Sequence, residues 1–288
     1  MRKNSDRVGP AEQDQGIAQV LAAKLQEDLK TNTEINISSP TEFVRLPSVG
    51  KYYPEGHALK DQEFVEIRYM TAKDEDILTS KSLLRQGIAL DRFIDNILIN
   101  KRVKSKDLLS GDKNAILVAA RTTGFGPEYV TKVTCPNCGS VGQHEFDLSE
   151  VSTKEAPDFE ELGITLTSDG NFLVTLPRTN ADVEIKLLSG KEETELVSTM
   201  EKREKKGLPQ SAVTTQMLFI TVSVNGDHDR TRILKFLENL PSYDSRYLRD
   251  IYSKIVPNLD MKQEFECSKC GYNEEVEIPI TVDFFWSR

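Results

Sequence analysis

Four cysteines in two pairs of identical spacing are the residues best suited to chemistry in this chain: Cys135 and Cys138 in CPNCG, Cys267 and Cys270 in CSKCG. Two intervening residues let a tight turn present both sulfurs from one side. Two such turns complete the tetrahedron of thiolates that zinc accepts, the ion having no geometric preference of its own. Gly139 and Gly271 directly follow the pairs, where the backbone must fold back under the metal and positive φ is easiest for glycine. Four protein ligands leave no position for water or substrate, so one zinc ion bound here is expected to be a structural clamp and not a catalyst.

The long separation of the pairs does not argue against a shared ion. Lengthening a loop from about 16 to about 128 residues is three doublings, roughly 2 kcal/mol of closure entropy. Structural zinc supplies on the order of 10–16 kcal/mol of apparent folding free energy. A redox pair would place its first cysteine at a helix N-terminus to lower the thiol pKa, whereas both pairs here lie between strand-like segments.

No other constellation competes. His57 follows a Tyr-Tyr-Pro-Glu-Gly turn, His144 lies past Cys138 and His228 sits between Asp227 and Asp229. His144 is expected on the ribbon surface, since four thiolates already suffice. The NGDHD stretch is expected to cap a helix starting at Thr231 rather than bind a hard cation. GFG at 124–126 lacks the preceding strand and the spacing of a dinucleotide fingerprint, and no GxxxxGK occurs. Lys202 to Lys206 reads as a solvated helix face. Phe284, Phe285 and Trp286 are either aromatic anchors for a partner or packing for the ribbon's own sheet.

Two strands joined by CPNCG, over Val130 to Leu148, must position the first pair, and Met261 to Phe285 repeats that design around CSKCG. Upstream, Phe43 to Leu46 and Phe64 to Tyr69 read as a hairpin or small sheet around the turn-rich PSVGKYYPEG. Thr71 stands three residues ahead of Asp74, a capping box that starts a short helix through Leu78. The stripe Leu83, Leu84, Ile88, Phe93, Ile94, Ile97 and Leu98 predicts a longer helix weakened at Gly87, and Asp112 is expected to cap another running to Arg121. Between the cysteine pairs, Ile164–Leu166 and Phe172–Leu176 flank a Ser-Asp-Gly-Asn turn, and Val183–Leu188 offers a third strand. The helix-like stretches Glu192–Lys205, Val213–Val224, Thr231–Leu240 and Ser242–Ile255 follow, with Pro241 between the last two.

The expected fold class is therefore α+β and multidomain, with a split four-cysteine zinc ribbon interrupted by a mixed sheet and helix insertion. Residues 1–41 are expected to be a mobile arm with a short amphipathic helix over Ile17–Leu29. Residues 42–129 make a small sheet plus helical domain, 130–148 and 261–288 the ribbon, and 149–260 the inserted subdomain.

Composition narrows the function. The chain has 288 residues, 38% hydrophobic and 29% charged, the balance of a folding globular protein. Its longest apolar runs fall far short of the ~20 residues that cross a bilayer. MRKNSDRVGP lacks the apolar segment of a secretory signal, and paired thiols fit a reducing compartment. A net charge of −9 disfavours polyanion binding, so protein partners are the expectation. A nucleic-acid-binding zinc ribbon is opposed by Glu264, Glu266, Glu274, Glu275 and Glu277 against only Lys262 and Lys269. An enzyme with a purely structural zinc would need a cluster of titratable residues that the sequence does not display.

The runs FVRLPSVGKYYPEG, EIRYMTAKDEDILTS and LLSGDKNAILVAARTTGFGPEYVTKVTCPNCG, with the closing FECSKCGYNEEVEIPITVDFFW, resemble the baseplate hub subunit family of T-even-type contractile-tailed bacteriophages. The resemblance covers about 43–148 and 261–286. It implies a non-enzymatic structural or assembly component of the tail, made in the host cytoplasm and carried on the virion baseplate if retained. Its partners would be other baseplate or tail proteins, met through the N-terminal helix and Phe284, Phe285 and Trp286.

Overall fold

Alternation in the first apolar stretch becomes an antiparallel pair, β1 (Thr41–Arg45) with β2 (Phe64–Arg68). Val44, Val65 and Ile67 turn inward while Phe43 and Phe64 face out. This is a computed structural model of the chain, describing residues 39–154, 156–205, 211–280 and 282–285; the amphipathic stretch Ile17–Leu29 and Trp286 lie outside the described residues.

α1 (Ala72–Thr79) starts with the expected capping box between Thr71 and Asp74. Asp74 is fully buried and also accepts from Arg68 and Asn96. The stripe through Phe93 does not form one long helix. It divides into α2 (Lys81–Arg85) and α3 (Ala89–Ile97), because Gly87 takes φ 68°, a conformation that ends a right-handed helix.

α4 (Ser110–Phe125) is the central helix. Asp112 does not cap it. Leu109 occupies the N-cap position and Asp112 lies inside the first turn, where its carboxylate accepts from the Ser48 N–H (2.9 Å), the Ser48 hydroxyl (2.6 Å) and the Tyr53 hydroxyl (2.7 Å). Burial pushes this carboxyl above its usual range although all three partners pull it down. The turn-rich PSVGKYYPEG loop is thereby tied to the helix that leads to the first cysteine pair.

β3 (Glu128–Thr134) and β4 (Val141–Asp147) form the first cysteine hairpin. Beyond it, β5 (Ser152–Thr153) leads to a four-stranded sheet in the order β6 (Ile164–Leu166), β7 (Phe172–Thr175), β8 (Asp182–Ile185) and β9 (Thr221–Val224). α5 (Gly190–Lys205) and α6 (Ala212–Ile220) separate the last two strands. The apolar run from Val213 thus ends as a strand: Thr221 to Val224 is β-branched at three of four positions, favours the pleated surface, and returns to pair with β8.

α7 (Arg230–Glu238) is capped by Asp229, which accepts from the Thr231 and Arg232 amides, as NGDHD predicts. α8 (Ser242–Ile255) follows Pro241, and its buried Asp244 accepts from the Arg178 and Thr179 amides, each at 2.9 Å, holding the β7–β8 turn. β10 (Leu259–Asp260) pairs antiparallel with β5, so the chain leaves the central block beside the point where it entered. β11 (Lys262–Glu266) and β12 (Asn273–Glu277) make the second cysteine hairpin. A single cluster of buried apolar side chains runs from Val44 through Phe172 and Leu248 to Phe285. Among the described residues no helix is long and apolar enough to cross a membrane.

Candidate metal centre

Each cysteine pair sits in a turn closed by the same two backbone hydrogen bonds. In the first, the Gly139 N–H donates to Cys135 O (2.9 Å) and the Cys135 N–H to Ser140 O (2.8 Å). In the second, the Gly271 N–H donates to Cys267 O (2.9 Å) and the Cys267 N–H to Tyr272 O (2.8 Å). Gly139 and Gly271 have φ 69° and 67°, the left-handed conformation that only glycine adopts without strain. Open space surrounds both positions, so the backbone angle, not crowding, calls for glycine.

The two turns meet. Cys135 Sγ lies 3.7 Å from Cys270 Sγ and Cys138 Sγ 3.8 Å from Cys267 Sγ, and all four sulfurs fall within 4.8 Å of one another. Disulfides would need about 2.05 Å. Metal–sulfur bonds of about 2.3 Å set tetrahedral edges of about 3.8 Å, so the spacing suits a four-thiolate metal site. Cys135 and Cys267 are buried and Cys138 and Cys270 exposed, which leaves one side of the cluster open to an entering ion.

Neighbouring donors bias two of the thiols, Cys138 and Cys267, toward ionisation. The Ser140 hydroxyl lies 3.1 Å from Cys138 Sγ and 3.5 Å from Cys267 Sγ. That hydroxyl, helped by the Lys269 and Cys270 amides, brings the Cys267 thiol down to about 6. Ser140 also lowers Cys138, through its hydroxyl and then its amide. For Cys270 the Tyr272 amide pulls downward, but burial and the three other sulfurs outweigh it and raise the thiol to about 11. Crowded sulfurs cannot all shed protons cheaply in water, and a divalent cation removes that repulsion.

Contacts outside the sulfur cluster lock the hairpins together. His144 Nε2 lies 3.1 Å from Glu264 O, and its ring meets Phe146 and Phe265 edge-on at 4.6 and 5.2 Å. The half-buried imidazole therefore bridges the two hairpins at the ribbon surface. Gln263 joins both backbone groups of Asp147, accepting from its N–H at 3.0 Å and donating to its carbonyl. Asn137 Nδ2 approaches Cys270 Sγ at 3.7 Å. Spacing alone pointed to none of Ser140, Gln263 and Asn137; their side chains matter only once the second hairpin is in place.

Phe284 and Phe285 are not surface anchors. They are 0% and 1% exposed: the Phe284 ring meets Tyr129 at 4.9 Å, the Phe285 ring meets Phe93 at 5.1 Å, and Arg121 Nε donates to Phe284 O at 3.0 Å. The C-terminal turn covers apolar surface of α4, α3 and β3 that would otherwise face water.

A family model described as T4 bacteriophage base plate protein matches residues 41–286. The chain belongs to that family. The match takes in both hairpins and the block between them, including residues 149–260, over which the resemblance read from the sequence does not extend. No curated protein and no solved structure matches the chain. Family membership points to a structural component of the phage tail, working against other tail or baseplate proteins.

Proposed function

We propose that this protein is a structural or assembly subunit of the baseplate hub of a contractile-tailed phage, acting by protein–protein contact on a scaffold clamped by one zinc ion. Cys135, Cys138, Cys267 and Cys270 are the ligands. The observation that carries the clamp is the meeting of sulfurs 129 and 135 positions apart in the chain, in two turns of matching geometry, at spacings that suit zinc. In this reading residues 149–260 form an insertion whose entry and exit are held side by side by β5–β10 and, beyond them, by the metal. The acidic face of the second hairpin, where Glu264 stands opposite Glu275, supports protein rather than nucleic-acid partners. The ligand set leaves no open coordination position, which supports a role without catalysis.

Two measurements test this. Metal analysis of the purified protein should return one zinc per chain, and a value near zero refutes the clamp. Tail precursors isolated from infected cells should contain the protein in fixed stoichiometry with other baseplate subunits; recovery only as a free chain refutes the hub role.

A further inference from the structure

The register of the β1–β2 sheet decides which edge each backbone group faces. The Leu46 N–H donates to Glu63 O and the Tyr69 N–H to Pro40 O, both at 2.8 Å. The even-numbered residues of β1 therefore turn their N–H and C=O groups toward β2, and Thr41, Phe43 and Arg45 turn theirs to the opposite edge. β2 has its far edge covered, since the Ile99 N–H donates to Glu66 O at 3.1 Å and Leu98 bridges Ile67. At the β1 edge, no described residue bonds the outward backbone groups of Thr41, Phe43 or Arg45. The adjoining solvent face carries Phe43, 69% exposed, and Phe64, 47% exposed. An unpaired edge beside exposed aromatics is a template for another strand.

We propose that β1 pairs antiparallel with β1 of a second copy of this chain, about a two-fold axis at Phe43, joining two two-stranded sheets into one of four strands. The alternation admits few registers, because outward groups must meet outward groups. An axis at Glu42 sets two carboxylates directly opposite each other, which is unfavourable. An axis at Val44 reaches past the end of the strand, where Pro47 has no N–H to give. The axis at Phe43 pairs the whole strand: Thr41 with Arg45, Glu42 with Val44 and Phe43 with Phe43, each outward N–H bonded and no like charges opposed. The interface is isologous, so it closes at two copies.

The test is sedimentation of the full-length, metal-loaded chain with two variants. Phe43→Lys places two ammonium groups opposite each other. Phe43→Pro removes an N–H that faces outward, leaving pairing with β2 intact. The unaltered chain should sediment as a dimer, and both variants at half that mass with zinc content unchanged and a melting midpoint equal to that of the unaltered chain diluted until it is monomeric. Should the proline variant fail to fold, Phe43→Lys, at an exposed side chain, decides alone. A monomeric unaltered chain overturns the proposal, as does a dimer that survives Phe43→Lys. A complex with another tail protein that is lost in Phe43→Lys, while the purified chain stays monomeric, also overturns it and gives the edge to that partner.

Discussion

Replacing Gly111 by alanine puts local preference and tertiary packing in opposition. Gly111 is the second residue of α4, and helix propensity alone predicts that alanine there stabilises by up to about 1 kcal/mol. The structure predicts the reverse. A Cβ at Gly111 would lie 1.9 Å from Pro257 O, 2.7 Å from Pro257 C and 2.8 Å from Asn258 Cα, all backbone atoms that no rotamer change can withdraw. Restoring ordinary contact means parting α4 from the 257–258 segment by more than about 1 Å, and overpacking of this kind costs about 1–3 kcal/mol, occasionally more. The segment cannot yield freely, because the Lys154 N–H holds Asn258 O at 2.9 Å and β5–β10 follows at once. A net loss of about 3 kcal/mol is expected. With a urea m-value of about 2–3 kcal/mol/M, the unfolding midpoint falls by about 1 M. α4 leads into the first cysteine hairpin and residues 257–258 into the second, so the shift also reaches the sulfurs, where ligand distances tolerate only about 0.2 Å. Titration with a competing chelator should show weaker metal retention. A midpoint equal to or above that of the unaltered protein would refute the reasoning.

Cys267→Ser should abolish stoichiometric zinc and lower the melting midpoint, as should exhaustive chelation of the unaltered protein; unchanged melting in both would end the clamp. In Tyr53→Phe, the Leu109 N–H loses its acceptor at 3.1 Å and Asp112 a donor at 2.7 Å, which should cost about 1–3 kcal/mol in chemical denaturation; a variant of full stability counts against that network. Burial works to raise Asp74, yet hydrogen bonds from Arg68, Thr71 and Asn96 win and hold its carboxyl at about 2, below the ordinary 3.8. Its contribution is therefore fully present above the unfolded value and lost as pH falls through about 4 toward 2. The stability gap between the unaltered protein and Asp74→Asn should shrink over that window, and a constant gap refutes the assignment. Asp229→Ala should cost about 0.5–2 kcal/mol through loss of the α7 cap, read from the unfolding midpoint.

Much of the local architecture was legible because it rests on near-neighbour chemistry. The two cysteine hairpins, the Ser-Asp-Gly-Asn turn before β7, the Thr71–Asp74 box and the Asp229 cap each depend on residues within a few positions of one another. Two misreadings share a distant cause, whereas the stripe through Phe93 is split locally by Gly87. Asp112 has the residue type of a cap, but its carboxylate serves a loop 64 positions earlier in the chain. Thr221 to Val224 continues an apolar run that suits a helix, and becomes a strand because β8 offers an edge. Phe284 and Phe285 suited either an anchor role or packing within the chain, and packing prevails because the nearest apolar surface is their own chain's α4 and β3.

For this protein the sequence by itself determined the chemistry of the candidate site: four thiols, their spacing, and the glycines whose positive φ the turns require, all local properties of a few consecutive residues. Only the tertiary structure decided that the sulfurs of the two turns lie within 4.8 Å of one another, that the Ser140 hydroxyl reaches cysteines of both hairpins, and that His144 touches both. Those outcomes depend on where β5–β10 and the Gly111 contact bring distant segments. Such placement is fixed by packing across the whole core, and no window of adjacent residues carries it.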